Sequence, residues 1–439
     1  MPAASIAVDR GALRDRFRRS RARTRALFDL LDPAAYYERP IRLRNPIVFY
    51  EGHLPAFAVN TMIRKGLGEA GIDAHFETIF ARGIDPDEEA AAVARGNPAW
   101  PAREAVQAYA AEADRRLEEA IGRAPLEPLF TVLEHEEMHQ ETLAYIWHEA
   151  PYAWKRKPEH YRTVPPSLLG LSAEALAKAD ARVVIPAGVA TLGTELATTN
   201  HRPSTTEFDH RPSTTEPFAW DNEVPSHQVH VAEFDVDVHN VTNAQYLDYM
   251  NQTGAAAPHF WEQRDGAWHW RGMFEPVPLP LDWPVYVTWA EADAYARWQG
   301  RRLMTEAEFH RAAYGTPDGG ERRFPWGDEM PTRAPGNFDF GRFDPEPVGR
   351  HVDGASAFGV HDLVGNGWEW TADVFAPFAG FEPMFSYPEY SADFFDGQHY
   401  VMKGASPMTA RALVRPGLRN WFRPNYPYVY ATFRTVSAA

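Results

Sequence analysis

The chain has 439 residues, 44% hydrophobic and 24% charged, which is room for two or three globular domains of ordinary composition. A net charge of −16 argues against a general nucleic-acid binder. With no cysteine, disulfides, thiolate metal ligands and a cysteine nucleophile are all excluded, leaving His and carboxylates for any metal site. No apolar run approaches the ~20 residues of a membrane span, and the N-terminus lacks the apolar core of a signal peptide. The expectation is a cytoplasmic protein with no membrane partner.

The first segment is Arg-rich, with Arg10, Arg14, Arg16, Arg18, Arg19, Arg21, Arg23 and Arg25. Leu13, Phe17, Leu27, Leu30 and Leu31 are spaced as the apolar stripe of an amphipathic helix, which predicts a solvated basic face. Asp9 and Asp15 weigh against a transit peptide. Residues 10–150 are rich in Ala, Leu, Glu and Arg, with helical spacing around 104–120 and 128–148 and breakers near Asn45-Pro46 and Gly96-Asn97-Pro98. About four helices, hence a bundle, are predicted.

Within the last of these helices lies Leu133-Glu134-His135-Glu136-Glu137-Met138-His139-Gln140. Positions i and i+4 share a helix face, so His135 and His139 can reach one metal ion. The string also fits His-Glu-x-x-His, the zinc-protease pattern. On that rival reading Glu136 is the general base and Glu159 a third ligand. Glu159 lies in a Pro-bounded stretch, and a protease leaves the second half of the chain unexplained.

Residues 156–182 are predicted as a connector between a helical domain (1–155) and a second domain (183–439). From residue 183 short β-like runs (183–185, 227–231, 285–287) alternate with Gly, Pro, Asn and Asp, and eleven of the fourteen tryptophans lie beyond residue 200. Helical spacing appears at 243–252, 290–299 and 306–314. The predicted class is α+β. The heptapeptide His-Arg-Pro-Ser-Thr-Thr-Glu at 201–207 recurs at 210–216 and is taken as a duplicated surface loop, with metal binding by His201 and His210 poorly supported.

Residues 183–436 resemble a formylglycine-generating-enzyme (sulfatase-modifying factor) domain, related to the C-type lectins. The resemblance rests on Val241-Thr242-Asn243-Ala244-Gln245-Tyr246, Pro284-Val285-Tyr286-Val287-Thr288-Trp289, Arg302-Leu303-Met304-Thr305-Glu306, Phe324-Pro325-Trp326-Gly327 and Gly365-Asn366-Gly367-Trp368-Glu369-Trp370. The chemistry that names that family uses a cysteine pair, absent here, so the resemblance implies the fold put to another reaction. A non-catalytic sugar- or peptide-binding module on the same fold is the alternative outside enzymes, but it has no use for a histidine cluster.

The N-terminal half resembles a DinB-type four-helix bundle. Joined to the second domain, it is similar to the iron-dependent sulfoxide synthases of ergothioneine and ovothiol biosynthesis and to their selenoneine-forming relatives. That resemblance implies three iron(II) ligands: His135, His139 and, in Phe49-Tyr50-Glu51-Gly52-His53-Leu54-Pro55, His53. Three neutral imidazoles on one side of an octahedral ion leave open positions for substrate and dioxygen. Glu136 and Glu137 then become solvated carboxylates or partners that steady a ligand imidazole. The same resemblance puts Tyr387, in Met384-Phe385-Ser386-Tyr387-Pro388, at the tyrosine that serves the oxygen step. It gives Asn420 and Trp421 a part in holding hercynine, the trimethylated histidine. A quaternary ammonium has no N–H to donate, so aromatic faces suit it, and Phe422, Tyr426, Tyr428 and Tyr430 add more of them.

Two departures concern the donor. Phe422 stands where enzymes using γ-glutamylcysteine have an Asp, and Met138 stands where many have a Gln. Tyr36-Tyr37, residues 45–53 and Phe80-Ala81-Arg82-Gly83 look most like the ovothiol and selenoneine branches, and the 439 residues hold no added methyltransferase domain of the ovothiol kind. The expectation is therefore a selenosugar donor (1-seleno-glucose) attached to C2 of hercynine, with Arg82 a candidate for its hydroxyls. Cysteine or γ-glutamylcysteine, as in ergothioneine synthesis, is the alternative donor.

Overall fold

Helix α1 (Arg10–Phe28) begins at Asp9, whose carboxylate accepts the backbone N–H groups of Gly11 and Ala12. This is a computed structural model that describes residues 8–81, 99–159, 161–162, 181–196 and 218–439. Arg82 and the duplicated heptapeptide lie outside the described residues. Helix α2 (Ile47–Ala58) is mostly apolar, with Glu51 and His53 its exceptions, and is correspondingly buried nearly throughout. It contains Pro55, which has no N–H to donate, and it continues beyond Ala58 as a wider π-helical segment, Val59–Gly66. The short α3 (Ala74–Ile79), α4 (Arg103–Ala120) and the 24-residue α5 (Leu126–Glu149) follow. Helix α1 packs on α5 and α2 on α4. These helices form one compact unit, residues Ala4–Tyr161, which also includes Met384–Pro388 from far along the chain.

The basic face of α1 differs from the sequence expectation. Its inward arginines are ion-paired and removed from solvent, while Arg18, Arg19 and Arg25 remain exposed. Arg21, 7% exposed, donates to Glu136 at 2.8 and 3.0 Å and to Asp114 at 2.7 Å. Arg16 makes a two-pronged pair with Glu137 (3.0 and 2.5 Å), and Arg18 pairs with Glu118. Arg10 caps two carbonyls after α4, those of Ile121 and Ala124, at 2.7 Å. The arginines are spaced to meet acids on α4 and α5, information that a single helix's sequence does not contain.

The second unit comprises Arg162–Pro383 and Glu389–Ala439. Its strands are β1 (Arg182–Ile185), β2 (Gly188–Leu192), β3 (His227–Val231), β4 (Phe234–Asp237), β5 (Trp261–Arg264), β6 (Ala267–Arg271), β7 (Pro276–Pro278), β8 (Arg302–Leu303), β9 (Gly367–Val374), β10 (Tyr400–Ala405), β11 (Asn420–Phe422), β12 (Ala431–Thr432) and β13 (Thr435–Ala438). They form two four-stranded sheets, ordered β1-β4-β13-β8 and β11-β10-β9-β12, a β2-β3 ribbon and a β5-β6-β7 sheet. One core cluster gathers Ile185, Ala190, Phe234, Val236, Phe309 and Val436.

Three of the family-like motifs turn out to be helix starts. Thr242, Thr288 and Thr305 each cap a helix: α6 (Asn243–Thr253), α7 (Trp289–Trp298) and α8 (Glu306–Tyr314). Gln245, Glu291 and Glu308 reach back to the capping residue three positions earlier and complete the reciprocal bond pair. A one-turn α9 (Glu389–Ala392) is the last α-helix among the unit's described residues. Residues 285–287 are not a strand, although they alternate like one. They run extended and buried, with Val285 N–H bonded to Val241 and Val287 N–H to Ala431. The mixed helix and strand content makes the whole chain α+β. No described helix is long and apolar enough to cross a membrane.

Candidate metal centre and substrate residues

Helices α2 and α5 bring His53, His135 and His139 together. One ring nitrogen from each lies within 4.8 Å of the other two, and among the described residues no other group of three possible ligands comes together in this way. The ring centroids stand 5.2 Å (His53–His135), 5.0 Å (His53–His139) and 4.4 Å (His135–His139) apart. His53 Nδ1 sits 2.8 Å from the carbonyl oxygen of Phe80. That bond fixes the proton on Nδ1 and leaves Nε2 as a lone pair, which is buried and without a partner. His139 Nδ1 is likewise buried and unpartnered.

Apolar packing holds the rings and keeps them neutral. Phe57 stacks on His135 at 3.5 Å, and Phe49 stacks on His53 at 5.0 Å. Burial pushes His53 down to about 4, against the opposing pull of the Phe80 carbonyl. His135 and His139 are driven well below the ordinary histidine range by burial first, and then by nearby positive charge, His139 and His53 acting on His135, and His53 and Arg44 on His139. A neutral imidazole is the form that ligates a metal. Gly52, beside His53, is where the helix lets Phe80 in: a Cβ there would overlap the Phe80 ring.

Glu136 and Glu137 are neither solvated nor set against the imidazoles. Both are 5% exposed and committed to α1, Glu136 to Arg21 and Thr24, Glu137 to Arg16. A carboxylate so paired is no free base, and Glu159 is exposed and outside the cluster. Among the described residues the zinc-protease arrangement is absent.

Tyr387 belongs to the bundle unit. Its ring lies 5.1 Å from Phe57 and 6.1 Å from His135, edge-on to both.

In the second unit, β11 carries Asn420, Trp421 and Phe422 along the edge of β10. Successive side chains on a strand point to opposite faces. Trp421 joins one aromatic group: Phe375 stacks flat on it at 4.1 Å, and Tyr390 and Phe394 approach at 5.3 and 5.6 Å. Phe422 joins another, stacked on Tyr426 at 5.0 Å, with Tyr428 edge-on to Tyr426 and to His259. The predicted substrate residues therefore divide into two groups. The Asn420 side-chain oxygen accepts the Trp421 backbone N–H at 2.9 Å. Arg419, in the same motif, is 4% exposed and serves the interior, ion-paired with Glu306 at 3.0 Å and lying over Phe375 and Phe378.

Sequence reasoning missed the Phe80 carbonyl, because a backbone group leaves no residue-type signal, and it missed Phe375 beneath Trp421. Gly52, adjacent to His53, was a usable signal of a close approach.

Residues 16–150 match the DinB superfamily, and residues 170–439 match the Sulfatase-modifying factor enzyme 1-like domain. Hercynine oxygenase of Mycolicibacterium smegmatis is 32% identical over 328 residues, 69% of this chain and 70% of that protein. Ergothioneine biosynthesis protein 1 of Schizosaccharomyces pombe is 30% identical over 93% of this chain, which spans 53% of that longer protein. Formylglycine-generating enzyme of Streptomyces coelicolor is 32% identical over 39% of this chain and 67% of its own length. The chain belongs to the sulfatase-modifying factor family, in the DinB-coupled form that relates it to hercynine oxygenase.

Proposed function

We propose that this protein is a mononuclear iron(II) enzyme that uses dioxygen to attach a chalcogen to C2 of the hercynine imidazole. The observation that carries the reading is the convergence of three imidazoles, His53 and His135 buried and His139 half-buried, with unpartnered ring nitrogens on His53 and His139, in a chain related to hercynine oxygenase. His53, His135 and His139 would hold the ion. Iron(II), when bound, supplies the one-electron chemistry with dioxygen that a closed-shell substrate lacks.

With a thiol donor the reaction balances as follows. The C2–H and S–H bonds break, C2–S and S=O bonds form, and the second oxygen atom leaves as water. The chain's own residues bind, orient and shield. The Phe80 carbonyl keeps the His53 proton on Nδ1, and Phe49 and Phe57 exclude water from the ligand rings. Tyr387 holds a phenolic proton beside His135. Trp421, stacked on Phe375, is the aromatic partner for the trimethylammonium group on this reading.

The relatives favour a sulfur donor, cysteine or γ-glutamylcysteine. Phe422 favours a second reading, a selenosugar. Stacked on Tyr426 and followed by Tyr428, it presents an uncharged aromatic surface that suits a sugar ring better than an amino acid's ammonium. The test is anaerobic loading with iron(II), then oxygen and hercynine with seleno-glucose, cysteine and γ-glutamylcysteine together at equal concentration, the products weighed by mass spectrometry. A dominant cysteine-derived sulfoxide fixes the sulfur reading; a dominant selenium adduct fixes the other; no hercynine consumption with any donor rejects both.

A further inference from the structure

Residues Met384–Pro388 fold with the helical bundle, although the chain on either side belongs to the other unit. Two hydrogen bonds at Ser386 help to hold them there. The Ser386 backbone N–H donates to Glu127 Oε1 at 2.7 Å, and the Ser386 hydroxyl shares a 2.8 Å hydrogen bond with Thr131 Oγ1. Thr131 is fully buried and Ser386 is 5% exposed, so neither hydroxyl has water to fall back on. Apolar burial does not do this work at the neighbouring residue, since Phe385 is 60% exposed. Glu127, Thr131, His135 and His139 follow one another at intervals of four along α5 and form a single slowly winding stripe.

We propose that this stripe is a positioning device: Glu127 and Thr131 latch Ser386, and so set where the adjacent Tyr387 stands relative to the imidazoles of His135 and His139. The proposal rests on the reading of Tyr387 as the phenol of the oxygen step. Its physical basis is registry. The latch and the ligands share one rigid helix, so the Tyr387 ring is referenced to the same backbone that carries the metal ligands. A slip by one turn of α5 would displace the phenol by about 5.4 Å and would strand two buried hydroxyls. Thr131 and Glu127 are positioning residues, acting through Ser386.

The experiment uses the full chain with Thr131→Val, Thr131→Ser, Glu127→Gln and Tyr387→Phe. Amide hydrogen exchange of the 384–388 peptide, measured without metal, reads the latch directly, because the Ser386 amide is one of its two bonds. Thr131→Val and Glu127→Gln are expected to speed that exchange about five- to tenfold, the equivalent of one net hydrogen bond. With iron loaded, both should lower kcat while leaving the hercynine Kd unchanged. Thr131→Ser keeps the hydroxyl and should restore both readouts. Native-like exchange in both variants overturns the latch. Faster exchange with unchanged kcat overturns its positioning role, as does a Thr131→Ser protein no better than Thr131→Val. A Tyr387→Phe protein with native rate and product removes the underlying reading of Tyr387, and the exchange data, which do not involve turnover, keep that failure separate.

Discussion

The histidine cluster of the bundle and the aromatic strand of the second unit gather their side chains in opposite ways. In the bundle, charge is moved to the far side of α5. Arg16 and Arg21 pair with Glu137 and Glu136, while the face between α2 and α5 keeps neutral rings packed against Phe49 and Phe57. On β11 no ligand-like polar cluster forms, and strand alternation deals Trp421 and Phe422 to separate aromatic groups. The difference shows that a helix concentrates side chains four apart at one point, whereas a strand distributes adjacent ones to two. A site for an ion suits the first arrangement, and a site with two substrate faces suits the second.

The sharpest way to break the comparison is to remove a ligand. His53→Ala leaves two imidazoles, and iron(II) affinity should fall more than about 100-fold, beyond what loss of an outer hydrogen-bond partner costs. Metal titration and turnover check it, and an active His53→Ala protein would dismiss the three-ligand centre.

Next in size is the charge behind the cluster. Arg21→Met strands the buried Glu136 carboxylate and should destabilise the bundle by about 3–5 kcal/mol in denaturant unfolding. Arg434→Met is the matching test in the second unit, where Arg434 and Glu369 are both fully buried and bonded at 2.5 and 2.8 Å. A bundle that tolerates Arg21→Met would mean that the pairing is not what keeps charge off the ligand face.

Acid should also separate the two regions. His53 titrates near 4 when folded and near 6.5 when unfolded, so between these values the unfolded chain binds more protons. The stabilisation from keeping His53 neutral is present above pH 6.5 and is lost as pH falls through 4. For His53 alone it is about 3 kcal/mol, and His135 and His139 shift in the same direction. Metal-free protein should therefore lose stability steeply from pH 6.5 to 4, and zinc should blunt the loss at the upper end. Melting curves across that range test it, and a flat profile would contradict a neutral cluster.

The smaller effects concern the strand. Trp421→Ala should weaken hercynine by roughly 30-fold, on the order of 2 kcal/mol for a desolvated cation–π contact. Histidine, with a hydrated ammonium, should bind far more weakly than hercynine, and equal calorimetric affinities would argue against this face. Phe422→Asp should shift donor preference towards an amino-acid thiol by about tenfold, one charge-assisted hydrogen bond. An unchanged product ratio in the donor competition would detach Phe422 from donor choice.

The pairing of His135 with His139 was legible because a breaker-free helix makes i and i+4 neighbours whatever surrounds them. The helical spacing at 243–252, 290–299 and 306–314 was legible in the same local way, and the structure adds the caps at Thr242, Thr288 and Thr305. The amphipathic spacing of α1 was visible too, but the fate of its arginines was not. Solvation or pairing depended on acids about ninety to 120 residues away on α4 and α5. His53 entered only by resemblance, since nothing in its own neighbourhood says that α2 will cross α5 at His135. Residues 285–287 alternate like a strand yet bond singly to Val241 and Ala431, because no continuous partner strand runs beside them. Local spacing by itself determined which side chains share a face. Tertiary structure alone decided which faces meet, which backbone carbonyl holds His53, and that a five-residue segment near residue 386 folds against the helix carrying His135 and His139, since each of these is a contact between parts of the chain far apart in sequence.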